Sequence, residues 1–149
     1  MDIKKLYQAE GKEATVNGWL ANKRSSKGLF FLIVRDGTGF AQCVVNREEV
    51  GEEVFERANE LTQESSLKIT GQVVKDERQI GGYEMQVRDL SIVSLAEEYP
   101  ITNKPHGVDF LLDNRHLWLR SQRQWAIMRV RNAIVYAIHN FFQQEDFVQ

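Results

Sequence analysis

The sequence predicts a mainly β fold: a five-stranded barrel with one intervening helix, followed by a linker and a long amphipathic helix. Three observations carry it. Apolar residues alternate with period two over most of residues 13–95, with one interruption of helical spacing over residues 48–61. The two prolines, Pro100 and Pro105, stand together inside Tyr99-Pro-Ile-Thr-Asn-Lys-Pro-His-Gly107. After residue 121 the apolar period becomes 3.6.

The elements follow in order. From Glu13 to Leu20, Ala14, Val16, Gly18 and Leu20 alternate with Thr15, Asn17 and Trp19, which predicts a first strand that Arg24 ends. Leu29 to Arg35 is rich in aromatic and β-branched residues, and Asp36-Gly37-Thr38-Gly39 turns it back into a third strand from Phe40 to Val45. Val50, Val54, Ala58 and Leu61 then share one helical face, with glutamates opposite. Leu67, Ile69 and Val73 alternate with Lys68, Thr70 and Gln72 in a fourth strand. Gly81-Gly82 opens a fifth, from Tyr83 to Leu95. There Tyr83, Met85 and Val87 oppose Glu84, Gln86 and Arg88 before the apolar phase slips to Leu90 and Ile92, which predicts a bulge near Asp89. Three strands, a helix and two strands is the order of an OB barrel, a fold that commonly binds oligonucleotides on its second and third strands. Proline fixes φ and lacks a donor, so residues 99–107 read as a linker. From Gln122 to Gln144 one apolar row holds Ile127, Val130, Ile134, Ala137 and Phe141, and a neighbouring row holds Met128, Val135, Ile138 and Phe142. A stripe this wide needs a covering surface. Glu145-Asp-Phe-Val-Gln149 reads as the start of a strand, as though the chain were cut in mid-domain.

Composition sets the bounds. The 149 residues are 42% hydrophobic and 27% charged, which is globular and excludes disorder as the main state. The longest apolar run, Leu29 to Val34, is far below the roughly 20 residues of a membrane helix. No secretory signal follows Met1, and one cysteine, Cys43, closes no disulfide, so a cytoplasmic location is expected. The net charge of −2 predicts no polyanion partner, yet Lys23, Arg24, Lys27 and Arg35 form a local basic stretch. Scattered histidines, Ser25-Ser26-Lys27-Gly28 and the pair Asp109 and Asp113 match no catalytic, phosphate-cradling or metal-binding arrangement.

The alternation offers one candidate surface. An unpaired buried guanidinium is costly, so the side of strand two that carries Arg35 also turns Phe31 toward solvent. Ala41, Cys43 and Val45 suit the core side of strand three, which turns Gln42 outward, and Glu84 lies on the polar side of strand five. An exposed ring beside amide, carboxylate and guanidinium can stack on an unpaired base and address its edge, with Arg24 on a phosphate or a second base. Each position taken alone also fits an ordinary barrel or solvated strand position. Their joint placement is the informative part.

Val16-Asn-Gly-Trp-Leu-Ala-Asn-Lys-Arg24, Leu29-Phe-Phe-Leu-Ile-Val-Arg-Asp36 and Gly39-Phe-Ala-Gln42 resemble the anticodon-binding domain of class IIb aminoacyl-tRNA synthetases, the aspartate, asparagine and lysine enzymes. His106-Gly-Val-Asp-Phe-Leu-Leu-Asp-Asn-Arg-His-Leu-Trp-Leu-Arg-Ser121 resembles the asparagine branch of that family. The resemblance implies an OB anticodon-binding domain over residues 1–98, a hinge over 99–107, and the start of an α+β class II catalytic domain over 108–149. It places the family's stacking aromatic on Phe31, its glutamine for the middle anticodon uridine on Gln42, its strand-five glutamate on Glu84 and its strand-one arginine on Arg24. It makes the helix 122–144 the beginning of motif 1, the family's dimer element, and so implies a homodimer of the intact enzyme. The implied partner is tRNA through its anticodon loop, with no membrane. ATP and Mg²⁺ are implied for the whole enzyme, but the motifs that hold them are not in this sequence, so no catalytic residue and no cofactor ligand is assigned. Two alternatives stay open: the aspartate enzyme, including forms that charge both tRNAs, and a free-standing OB module for single-stranded nucleic acid or another protein.

Overall fold

The computed structural model describes residues 1–79, 81–102 and 104–148. The chain divides into two compact units, Met1–Tyr99 and Pro100–Gln149. In the first, five strands close a barrel in the order β1-β2-β3-β5-β4: β1 Glu13–Ser26, β2 Leu29–Arg35, β3 Phe40–Asn46, β4 Ser66–Lys75 and β5 Tyr83–Ser94. Each named pairing is antiparallel except β3 with β5, which is parallel. The alternating residues fill the interior: Val16, Leu20, Leu32, Val34, Cys43, Val45, Leu67, Ile69, Val73, Met85, Val87 and Leu90 are buried. Burial of such side chains is the main favourable contribution to folding.

Of the three register shifts in the ladders, two bear on which side chains of the candidate surface face out, the third leaving Val93 unpaired between Ile92 and Ser94. In β5, Thr70 pairs with Asp89 but Gly71 with Val87, so Arg88 is the extra residue, and the slip expected near Asp89 is present. The one in β1 was not foreseen. Leu20 pairs with Val34 and Asn22 with Ile33, leaving Ala21 unpaired. A single inserted residue exchanges the two faces of the strand beyond it. As a result Lys23 lies opposite buried Leu32, and Arg24 lies opposite Phe31 on the outer face. β1 also runs past Arg24 to Ser26. Close approach fixes a further position: a Cβ on Gly71 would stand 2.3 Å from the Gln86 carbonyl oxygen.

Two helical segments close the barrel ends. A 3₁₀ helix, Ile3–Ala9, absent from the sequence reading, buries Ile3, Leu6 and Ala9. It is tied to the β2–β3 turn by Asp36, whose Oδ2 accepts from Ile3 N at 2.7 Å while Oδ1 accepts from Thr38 N and Gly39 N. The helix between β3 and β4, α1 Arg47–Glu60, is capped by Asn46, whose side chain accepts from Glu48 N. Its chain breaks helical geometry at Gly51, where φ is 78°, a conformation that favours glycine. Beyond that kink Val54, Phe55 and Ala58 are buried, with Phe55 stacked on Phe30 at 4.6 Å between centroids. Lys23, rephased inward, donates from Nζ to the carbonyls of Asn59 and Leu61 at 2.7 Å and of Ala58 at 3.3 Å. It caps the carbonyl end of α1, and its partial burial lowers its pKa below the usual lysine value.

The second unit contains α2 Val108–Asp113, α3 Arg115–Trp118 and α4 Gln122–Gln144. The bounds of α4 match the periodicity, and its apolar rows are exposed: Val130 60%, Ile134 54%, Phe141 58%. The strand expected after residue 144 does not form in the described residues. Asp146 takes φ 62°, and Phe147 folds back so that its ring meets that of Phe142 edge-on at 5.3 Å. A strand needs a ladder partner, whereas local ring packing satisfies Phe147 without one. Asn103 of the linker and Gln149 lie outside the described residues.

Candidate nucleic-acid interface

The outer face of the barrel is built as rungs crossing β1, β2, β3 and β5. One rung runs Arg24, Phe31, Val44, Gln86, and the next runs Asn22, Ile33, Gln42, Glu84. Residues directly opposite across a ladder share a face, so all four sequence-proposed residues lie on one surface. Phe31 is half-buried, and the Arg24 guanidinium lies 5.7 Å from its ring centroid. The same guanidinium reaches the next rung, where Nη2 donates to Gln42 Oε1 at 3.4 Å.

Gln42 points outward, as expected, but it is not an ordinary solvated strand position. Its side chain does point away from the core, but it is only 9% exposed, because β3 is the middle strand of the face and its neighbours cover it. A buried amide must find partners. Gln42 accepts from Arg24 and donates from Nε2 to Glu84 Oε2 at 3.0 Å. Glu84 is held on its other oxygen by Gln86, whose Nε2 donates to Oε1 at 2.7 Å. Arg24, Gln42 and Glu84 thus form one connected chain of hydrogen bonds, with Phe31 beneath the Arg24 guanidinium, and Gln86 is a fourth member of the chain that sequence reasoning did not single out. The signal was present: Gln86 is two residues from Glu84 on the polar side of the same strand.

Arg35 lies on the outer side as expected, yet its side chain is 14% exposed. The ion pair with Glu64 and the Trp19 ring, 5.5 Å from the guanidinium carbon, make that burial tolerable. Glu64 sits at φ 71° and donates its backbone N–H to the Leu20 carbonyl at 2.7 Å.

Chemically the surface offers a ring for stacking, an amide with both a donor and an acceptor, a carboxylate with spare lone pairs, and an exposed guanidinium. Those groups suit the edge of an unpaired base better than the regular phosphate track of a duplex. A model of the tRNA anticodon-binding OB-fold nucleic acid binding domain matches residues 14–93, more than half of the chain. The chain belongs to that family. It is 54% identical over 146 residues to the asparagine–tRNA ligase of Symbiobacterium thermophilum, covering 98% of this chain and 33% of the relative. The crystal structure of asparaginyl-tRNA synthetase from Pyrococcus horikoshii complexed with asparaginyl-adenylate is similar with a TM-score of 0.86 and 34% identity, covering 97% of this chain and 34% of that one. The Entamoeba histolytica asparaginyl-tRNA synthetase in complex with asparaginyl-adenylate gives 0.79 and 28%, over 94% and 35%. The chain therefore spans about a third of the length of the relatives it matches.

Among the described residues no group of three or more His, Cys, Asp or Glu side chains is placed to hold a metal ion, and no helix is long and apolar enough to cross a membrane.

Proposed function

We propose that this chain is the anticodon-reading part of an asparagine–tRNA ligase, an enzyme that uses ATP to activate asparagine and transfers it to tRNA. The single observation that carries the reading is the connected row Arg24–Gln42–Glu84 beside the half-buried ring of Phe31, on a barrel of the anticodon-binding family. A base from the anticodon stacks on Phe31, in the space over the ring where Arg24 now lies. Arg24 is exposed and its bond to Gln42 is long, so it yields and turns to the phosphate or to a second base. Gln42 then offers a donor and an acceptor to the edge of the middle uridine, while Glu84, fixed by Gln86, accepts from an amino or imino group.

In this reading residues 1–98 are the anticodon domain, 99–107 the hinge and 108–149 the beginning of the class II catalytic domain, with α4 as the dimer element of a cytoplasmic homodimer. The exposed apolar rows of α4 support the last point. The relatives' names support asparagine over aspartate. Residues for ATP and Mg²⁺ are not assigned in this chain; adenylation belongs to the parts of the relatives that it does not span.

The test is titration of an anticodon stem-loop RNA against the chain and its Phe31→Ala variant. Loss of one base–aromatic stack weakens binding by roughly 1–3 kcal/mol. Unchanged binding with a lowered thermal midpoint contradicts the reading, because Phe31 is then a packing residue alone.

A further inference from the structure

We propose that His106 is a proton-sensitive latch of the linker: its neutral ring holds the Thr102 amide and orders the segment that joins the two units, and protonation releases it. The inference concerns the linker alone and stands whether or not the barrel reads RNA.

Three residues spaced four apart, Thr102, His106 and Phe110, are drawn together at the start of the second unit. Thr102 N donates to His106 Nε2 at 3.0 Å. The imidazole stacks on the ring of Phe110, in the first turn of α2, at 4.8 Å between centroids and 20° between planes. Pro105 fixes its own φ immediately before the histidine, which narrows the ways the ring can be presented. His106 is half-buried, whereas Thr102, Lys104 and Pro105 around it are exposed. The loop has no apolar core of its own, so the ring is its ordering element. The other two histidines, His116 and His139, are exposed.

The polarity of the contact makes it sensitive to a proton. A backbone N–H can only donate, so Nε2 is the ring nitrogen that carries no hydrogen. In an imidazolium both ring nitrogens are donors, and Nε2 then has no lone pair for Thr102. The Thr102 hydroxyl, 3.2 Å from the same nitrogen, can accept from the charged ring. Protonation therefore exchanges a bond to the backbone for one to a rotatable side chain. The backbone bond fixes the path of the chain directly, and the side-chain bond does not. Phe110 can stack on either form of the ring, so the switch lies in the Thr102 bond.

No fixed charge overrides this exchange. The ionisable neighbours are Lys104 in the loop and Asp109 and Asp113 in α2, and among the described residues no ion pair involves His106 or any of them. Histidine is the side chain whose charge changes between about pH 5 and 8. A latched state that needs the neutral ring is favoured above the titration of the imidazole and lost as pH falls through it.

The experiment follows the full chain by NMR between about pH 8 and 5. It reads the His106 Nε2 resonance, the Thr102 amide proton and the nitrogen relaxation of Thr102. In wild type the amide proton should lie downfield at high pH and move upfield in step with protonation of Nε2. The Thr102 amide should gain mobility on the ps–ns scale over the same range. His106→Phe keeps the stack and removes the acceptor, so Thr102 should show its low-pH shift and mobility throughout. His106→Gln keeps an acceptor without an ionisable ring, so the Thr102 shift should not depend on pH. Thr102→Ala keeps the amide and removes the hydroxyl, and the amide at that position should still follow His106. Barrel resonances should be the same in every variant, which separates the latch from a folding defect. If the Thr102 amide ignores the His106 titration, or if His106→Phe leaves it at the wild-type high-pH position, the inference is wrong. Titration of Thr102 in His106→Gln would assign the effect to another group, and loss of coupling in Thr102→Ala would assign it to the hydroxyl. Either result overturns the latch.

Discussion

Gln42 donates to Glu84 at 3.0 Å across the parallel pairing of β3 with β5, and in the register of that pairing the two residues stand directly opposite. Both ends of the Gln42 amide are occupied in the free protein, one by Glu84 and one by Arg24. A base that takes the amide must replace those contacts with equally good ones, which is how a buried polar group discriminates between ligands.

Gln42→Leu keeps the bulk of the side chain and removes both contacts. Discrimination between a middle uridine and a middle cytidine should shrink by roughly 1–3 kcal/mol. Competition between the two stem-loops, measured on wild type and variant, checks this. Equal loss of affinity for both RNAs would show that Gln42 supports the face without reading a base.

Lys23→Met tests how the barrel holds its helix. The ammonium satisfies three carbonyls at the end of α1, and the apolar replacement leaves them bare. Denaturant unfolding should show a loss of about 1–2 kcal/mol. RNA affinity should stay the same, because Lys23 lies on the inner side of β1 and Arg24 on the outer. A variant of full stability would mean that α1 is held by Val54, Phe55 and Ala58 alone.

The contrast between these neighbours shows what the sequence could reveal. Period-two alternation was enough to find five strands, to turn Phe31 and Gln42 outward, and to detect the slip in β5, where Val87 and Leu90 are both apolar. The bulge at Ala21 left no comparable mark, because Asn22, Lys23 and Arg24 are all polar and carry no phase. Burial of Gln42 was also invisible: it follows from the neighbours that strand order supplies, not from its own strand. The 3₁₀ helix Ile3–Ala9 was missed since three buried residues in seven give too little periodicity. Phe147 read as strand from its residue type, but strand formation is decided by a partner.

Cys43 gives a pH prediction. Burial, with a smaller effect from the charge of Glu84, pushes its thiol up from 9.0 to about 12. A group whose pKa is raised by folding contributes its full stability below the unfolded value and loses it as pH rises toward the folded one. Stability should therefore decline between pH 9 and about 12 more steeply in wild type than in Cys43→Ala. At pH 8 a thiol-specific disulfide reagent should react only with the unfolded chain. Prompt reaction of the native protein would contradict the buried placement.

The exposed rows of α4 predict self-association. Sedimentation of the chain should show weight-average mass rising with concentration, whereas a version ending at residue 102 should stay monomeric. If both are monomeric and equally soluble over a wide range, these rows are not an association surface in this chain.

The most direct test of the central claim is the affinity of the unmodified chain for an anticodon stem-loop with uridine in the middle position, set against the same hairpin with cytidine there and against its stem closed by an unrelated loop. The account predicts tightest binding to the uridine hairpin, with a cost of about 1–3 kcal/mol for the single base change and a larger loss for the unrelated loop. Equal affinity for all three RNAs would contradict it, because the Phe31, Gln42 and Glu84 face would then be reading no base.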